Sequence, residues 1–396
     1  MRIVVVNNFY PPRVGGSSHL SDALARAYAA RGHDVLVVTA AYGDAPPVEH
    51  RDGLTIVRLP AFALPESRFA VSFDISFATR PSLVRRLWRL LDGFAPDVVH
   101  QHGQFFDLTW ATGAWARHRG VPTLLSIHTR LENPQAHYHG VFRGLDALMV
   151  YPTMRVHRPH LVVMDALMDD YVKARYRGAT SGLEYIPVGV DAGWTVGGDR
   201  ATGRARLGVD DATPLVLSLG HVIPLRDRVA LVEALPAVLE QVPDVRLAVV
   251  GRVYYDAFER RADELGVRDH VLSVGAVPKS EVPDLLAAAD VESHEQGIGL
   301  GTATLEAMAA GVPVVAPGRV DNFPTVPLGH REHLWVTEPG DVPALAAALV
   351  DALTDREHAR RVGLAAQQVV HESFALERVV DQHLEVLERL AASRRR

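Results

Sequence analysis

The 396-residue chain has no cysteine, only two lysines (Lys173 and Lys279) among its 41 basic residues, and no uninterrupted apolar run of about 18 residues. Without thiols there is no disulfide framework, no thiolate zinc site and no cysteine nucleophile. The scarcity of lysine argues against Schiff-base and pyridoxal chemistry. The opening Met-Arg-Ile-Val-Val-Val runs straight into a β-type stretch without the tripartite pattern of a secretory leader, so a cytoplasmic protein is expected. A strongly basic stripe is missing too. Up to Val190 there are 20 basic and 16 acidic residues (+4), and after it 21 and 31 (−10), giving the net −6. A mildly basic first half is compatible with an anionic partner, and the pattern argues against nucleic-acid binding.

What is present is a rhythm of short β-branched runs separated by helical periodicity, the mark of parallel sheets covered by helices. Strands are predicted near residues 3–6, 35–39, 55–59, 98–100, 123–126, 161–163 and 183–186, with helices near 18–31, 82–91, 108–119 and 165–176. The polar, glycine-rich stretch from Gly189 to Gly208 interrupts the series, and Leu215–Leu219 starts a second one. That series places strands near 215–219, 245–250, 271–274, 291–293 and 312–315, helices between them, and closing helices near 342–353, 356–372 and 376–391. The expected architecture is α/β: two doubly wound Rossmann-like domains, 1–190 and 191–375, facing across a cleft, with residues 376–396 as a final helix.

In open sheets of this kind ligands bind at the carboxyl ends of strands, which selects the candidates. After the first strand, NNFYPPRVGGSSH carries Gly15 and Gly16 before a helix; glycines admit a ligand close to the backbone, though a tight strand-to-helix turn uses the same residues. Strand-end His100, His102 and His128 have the chemistry to exchange protons or hydrogen bonds with a hydroxyl, in a chain whose 19 histidines include many structural ones. A zinc reading of His100, His102, His137 and His139 finds no carboxylates at helical spacing, and no metal is expected. In the second half GHVIPLRDR sets His221, Arg226 and Arg228 at a strand end, where guanidinium groups suit a diphosphate. The stretch ESHEQGIGLGTATLEAMAAGVPVVAPG leads through Gly299 and Gly301 into a helix bearing Glu306, a phosphate-receiving start with a carboxylate for vicinal hydroxyls.

Taken together, YPPRVGGSSH, DVVHQHG with LLSIHT, LSLGHVIPLRD and GLGTATLEAMAAGVPVVA resemble glycosyltransferase family 4, and the resemblance covers essentially the whole chain. It implies the GT-B fold and retaining transfer from a nucleotide-diphosphate sugar. It also implies donor contacts from Gly15, Gly16, His221, Arg226, Arg252, Val277, Gly299, Leu300, Gly301, Thr302 and Glu306, with His128 against the transferred sugar. His128, Arg226 and Glu306 would be the catalytic set. The last helix would cross back onto the first domain.

Two departures stand out. Where the family usually has Arg and, five residues on, Lys, this chain has His221 and Arg226. Where the first of two glutamates with seven residues between them belongs, aligned on Glu306, it has Ile298, which suits a donor sugar modified or deoxygenated at that point. No Asp-x-Asp occurs, so metal-independent transfer without a cofactor is expected. The acceptor, a small molecule or a lipid-linked one, is expected against His102, Glu132 and Tyr151, in and around the loop TRLENPQAHYHG, which reads equally as a solvated loop. RPSLVRRLWRLL has the pattern of a basic amphipathic helix at a membrane and also that of a helix packed on a sheet, so peripheral membrane contact stays open, as does a homodimer. Rival readings are a nucleotide-sugar epimerase or hydrolase of the same fold, and a non-catalytic sugar-nucleotide-binding subunit.

Overall fold

The computed structural model describes residues 1–13, 15–63, 76–77, 81–131, 136–223, 226, 228–293, 300–319 and 321–394. By internal contacts the chain divides into two compact units, Met1–Gly189 with Glu377–Arg396, and Val190–Leu376.

The first unit contains β1 (Arg2–Asn7), α1 (Gly16–Ala30), β2 (Asp34–Ala40), β3 (Val48–Arg51), β4 (Leu54–Leu59), β5 (Phe62–Ala63), β6 (Ser76–Phe77) and α2 (Pro81–Phe94). It continues with β7 (Val98–His102), α3 (Asp107–Arg119), β8 (Thr123–Ser126), α4 (Ala136–Leu145), α5 (Tyr151–His157), β9 (His160–Val163), α6 (Ala166–Arg175) and β10 (Gly182–Tyr185). Eight strands form one sheet in the order β10-β9-β8-β7-β1-β2-β4-β3, parallel except that β3 runs against β4. Apart from Arg2 in β1, the residues of β1 and β7 are all buried, because helices cover both faces and no polar alternation is needed. Gly120 closes α3 in the left-handed conformation (φ 64°) that a residue without Cβ takes at least cost. β3 has no counterpart among the predicted strands, and within 129–140, expected as loop, α4 begins at Ala136, with a π-helical turn, Asp146–Val150, joining it to α5.

The second unit contains α7 (Ala192–Thr195), α8 (Arg200–Leu207), β11 (Leu215–Leu219), α9 (Val229–Leu239), β12 (Arg246–Val250), α10 (Ala257–Glu264), β13 (Val271–Gly275) and α11 (Val282–Ala288). Then come β14 (Val291–Glu292), α12 (Thr302–Ala309), β15 (Val315–Pro317), β16 (Trp335–Thr337), α13 (Val342–Thr354) and α14 (Arg356–Ser373). Its parallel sheet has the order β13-β12-β11-β14, and a bridge from Glu292 to Val314 leads toward the β15-β16 pair. The glycine-rich break holds a helix the composition concealed: Asp199 caps α8 by accepting from the Thr202 N–H, and Gly208 ends it at φ 67°. The strand expected at 312–315 begins only at Val315. The chain then returns to the first unit in α15 (Leu376–Arg394).

Candidate functional site

Each sheet has one place where the chain order reverses, between β1 and β7 in the first unit and between β11 and β14 in the second. The loops leaving the carboxyl ends of those strands diverge there and open a crevice for a ligand. Gly15, His221, Arg226, Leu300 and Gly301 lie on these loops, while His128, Arg252 and Val277 follow the neighbouring strands β8, β12 and β13.

In the first unit the loop after β1 is held by its own polar groups. Asn7 donates to the Ser17 carbonyl and to the Ser21 hydroxyl at 3.1 and 3.0 Å, Asn8 donates to Asp107 at 2.7 Å, and Ser18 donates to the Arg13 carbonyl at 2.6 Å. This network presents Gly15 and Gly16 at the start of α1. Gly15 has an extended backbone (φ 167°), open to any residue. A Cβ there would touch only Ser18, at 4.0 Å, and one on Gly16 would meet nothing within 4 Å. Among the described residues, neither backbone angle nor packing requires glycine at these two positions, which leaves their backbone open to close approach.

His128 lies two residues past β8 and is half-buried. The β7–β8 register sets His102 opposite Ser126, which brings His102 Nδ1 to 2.8 Å from His128 Nε2. Burial, and then His383, hold the His128 ring far below the usual imidazole range, at about 3, so at neutral pH it is uncharged. His102, expected at the acceptor, is fully buried behind His128, whose ring it reaches instead. Tyr151 opens α5 and packs partly buried against the core cluster that contains Val150 and Met154. Glu132 lies outside the described residues.

In the second unit the loop after β11 is hooked onto the loop after β12. Val222 N–H donates to the Arg252 carbonyl at 3.0 Å and Tyr254 N–H to the Val222 carbonyl at 3.0 Å. Gly251, at φ 145°, passes so close to Gly220 that a Cβ would lie 2.1 Å from its carbonyl oxygen. His221, Arg226 and Arg252 thereby gather at one edge. Desolvation first, then the charges of Arg226, Arg252 and Arg228, lower the His221 pKa, which leaves the arginines as the permanent positive charge. Arg228 is no phosphate ligand. It is fully buried, and its guanidinium donates to the Arg226 and Gly220 carbonyls at 2.8 and 3.1 Å, clamping the loop. The sequence offered Arg228 only as a third surface cation, since a buried clamp and an exposed one share the same pattern.

Beyond β14, Leu300 is buried and Gly301, the N-cap of α12, has no side chain to cap it, so no cap from Gly301 engages the first-turn N–H groups of Thr302 and Ala303; Glu306 lies one turn in and is half-buried. Val277 follows β13 and is half-buried. Gly299 and Ile298 lie outside the described residues. Among the described residues no group of three or more His, Asp or Glu side chains has the geometry to hold a metal ion, and no helix is long and apolar enough to cross a membrane.

Residues 15–189 match a family described as "Glycosyl transferase 4-like domain" and residues 199–369 one described as "Glycosyl transferases group 1". A GDP-mannose-dependent alpha-(1-6)-phosphatidylinositol monomannoside mannosyltransferase of Mycolicibacterium smegmatis is 30% identical over 383 residues, 92% of each chain. The fold is similar to that of sucrose-phosphate synthase from Thermosynechococcus elongatus (TM-score 0.76, 22% identity, covering 99% of this chain and 100% of that one). It is also similar to that of HepE from Anabaena, solved in complex with UDP (TM-score 0.73, 18% identity, 98% and 100%). With loops leaving strand ends at both sheet reversals and matches along nearly its whole length, the chain belongs to the family 4 glycosyltransferases of GT-B fold, and is a transferase enzyme.

Proposed function

We propose that the enzyme transfers a hexose, with retention, from a nucleoside-diphosphate sugar to an acceptor hydroxyl. The observations that support this reading are a neutral imidazole, His128, past β8, glycines before α1 whose added Cβ atoms would clash with nothing among the described residues, and, in the second unit, Arg226 and Arg252 gathered beside His221 with the start of α12 following β14. As the bond from the anomeric carbon to the diphosphate breaks, charge develops on the leaving oxygen. Arg226, Arg252 and the α12 amides offset it, so no divalent ion is needed and activity is expected to survive chelator. The acceptor oxygen bonds the anomeric carbon on the same face, and its proton passes to the departing phosphate oxygen. Glu306 takes the ribose hydroxyls.

The Mycolicibacterium relative's name puts GDP-mannose and a mannosylated lipid first among donors and acceptors to try. Ile298, in place of a hydroxyl-binding glutamate, argues for a donor sugar that lacks or masks a hydroxyl there. Thermal stabilisation by UDP, GDP, dTDP and ADP identifies the base, since a nucleotide at one hundred times its dissociation constant adds about 2.7 kcal/mol. Turnover of the matching sugar nucleotides, with the product anomer read by NMR, completes the test. Efficient use of unmodified UDP-glucose sinks the modified-donor assignment; donor consumption without acceptor indicates a hydrolase or epimerase, and nucleotide binding without any turnover a non-catalytic subunit.

A further inference from the structure

Four imidazoles form a continuous row inside the first unit: His383 from α15, His100 and His102 from β7, and His128 beyond β8. Ring centroids are 5.2 Å apart from His383 to His100, 4.3 Å from His100 to His102 and 5.1 Å from His102 to His128. His100 is held at both nitrogens, Nδ1 3.2 Å from the Tyr28 hydroxyl and Nε2 2.9 Å from the Ser126 hydroxyl. His383 donates from Nδ1 to the Val379 carbonyl at 2.8 Å. The His102 and His128 planes are within 13° of each other, with His102 Nδ1 on His128 Nε2 at 2.8 Å. His102 is fully buried, and its Nε2 has no hydrogen-bond partner among the described residues.

We infer that His102 is a positioning residue: it donates from Nδ1 to His128 Nε2 and so fixes His128 as the Nδ1–H tautomer, a hydrogen-bond donor toward the ligand. The inference deepens the proposed function, on whose placement of His128 at the substrate it rests. One of two neutral rings must donate across the 2.8 Å contact. If His128 donated, His102 would carry its proton on Nε2, a buried N–H with no acceptor. If His102 donates, its Nε2 is a bare lone pair, the less costly of the two orphans. Burial disfavours a proton on either ring, which removes the arrangement with a shared cation. Which nitrogen of a histidine is free is set by the bond the other makes. A His128 held this way donates to a sugar or phosphate oxygen and has no lone pair to offer the ligand, so it is not the base that removes the acceptor's proton.

The test reads the tautomer directly, by nitrogen-15 shifts of histidine-labelled protein at neutral pH without substrate, together with steady-state kinetics. Wild type should show Nδ1–H on His128. His102→Phe keeps a flat ring and removes the donor; it should shift His128 toward Nε2–H and lower kcat by roughly tenfold to a hundredfold with donor KM little changed. His102→Asn, whose amide N–H sits near the Nδ1 position, should restore both the tautomer and most of kcat. An Nε2–H signal on His128 in wild type, or an unchanged tautomer in a folded His102→Phe, overturns the inference. A chain that shows the tautomer pattern yet turns over no donor keeps the lock and loses the transferase chemistry assigned to it.

Discussion

Gly16 and Gly251 are glycine for opposite reasons, and substitution separates them. At Gly16 an added Cβ meets open space at a helix start, so Gly16→Ala should leave stability unchanged or raise it by up to about 1 kcal/mol. Its donor turnover should nonetheless fall, because the methyl occupies the space a diphosphate uses; full activity in assay would show that no ligand approaches there. At Gly251 the same methyl strikes the Gly220 carbonyl at a backbone angle L residues rarely take, so Gly251→Ala should unfold in far less urea than wild type. Arg228 belongs to the same loop. Arg228→Lys cannot span both the Arg226 and Gly220 carbonyls and should cost about 1–3 kcal/mol in denaturant titration, with weakened nucleotide binding as the loop loosens.

Among the elements, α6 offers a test with a sign. Asp165 caps it by accepting from the Met168 N–H at 2.6 Å, yet burial raises the Asp165 pKa. The cap is useful and its charge is not. Asp165→Asn should therefore be neutral or stabilising, while Asp165→Ala should cost about 1 kcal/mol, both read by thermal melting. Elements were also where the sequence was most and least readable. Leu215–Leu219 stands as read, because a fully buried parallel strand is a continuous apolar run with nothing to mimic it between turn residues. α8 was hidden because its sequence, RATGRARL, is polar and contains glycine; its stability comes from Arg200 and Arg204 bonding Asp290 and the Ala288 carbonyl, contacts more than 80 residues away. That Gly15, His128 and Arg226 follow strand ends was legible, because the strands themselves are continuous apolar runs. That His102 lies behind His128 was not, since a side chain's depth depends on the register of two strands and on a helix from the far end of the chain.

Across the whole molecule the imidazole row links stability to pH. Burial lowers the pKa of all four rings, to about 3 for His128 and about 4 for His383. Folded, they stay neutral where the unfolded chain takes up protons. The stability this represents is complete above the ordinary imidazole value of about 6.5 and is lost as pH falls from there toward the folded values. Each ring that remains neutral gives a slope of about 1.4 kcal/mol per pH unit, so urea midpoints should drop steeply between pH 6.5 and pH 5. The groups hydrogen-bonded to His100, Tyr28 and Ser126, carry no charge that would offset this. A flat stability profile over that range would mean the rings are hydrated or already protonated.

The return of α15 to the first unit also has a consequence for synthesis. The second unit is continuous, Val190–Leu376, and has all its residues once Leu376 has left the ribosome. The first unit, begun earlier, waits for residues about 190 positions later before His383 can close over His100. During translation the half made first is thus the half finished last, and His100 has no His383 ring against it until α15 arrives.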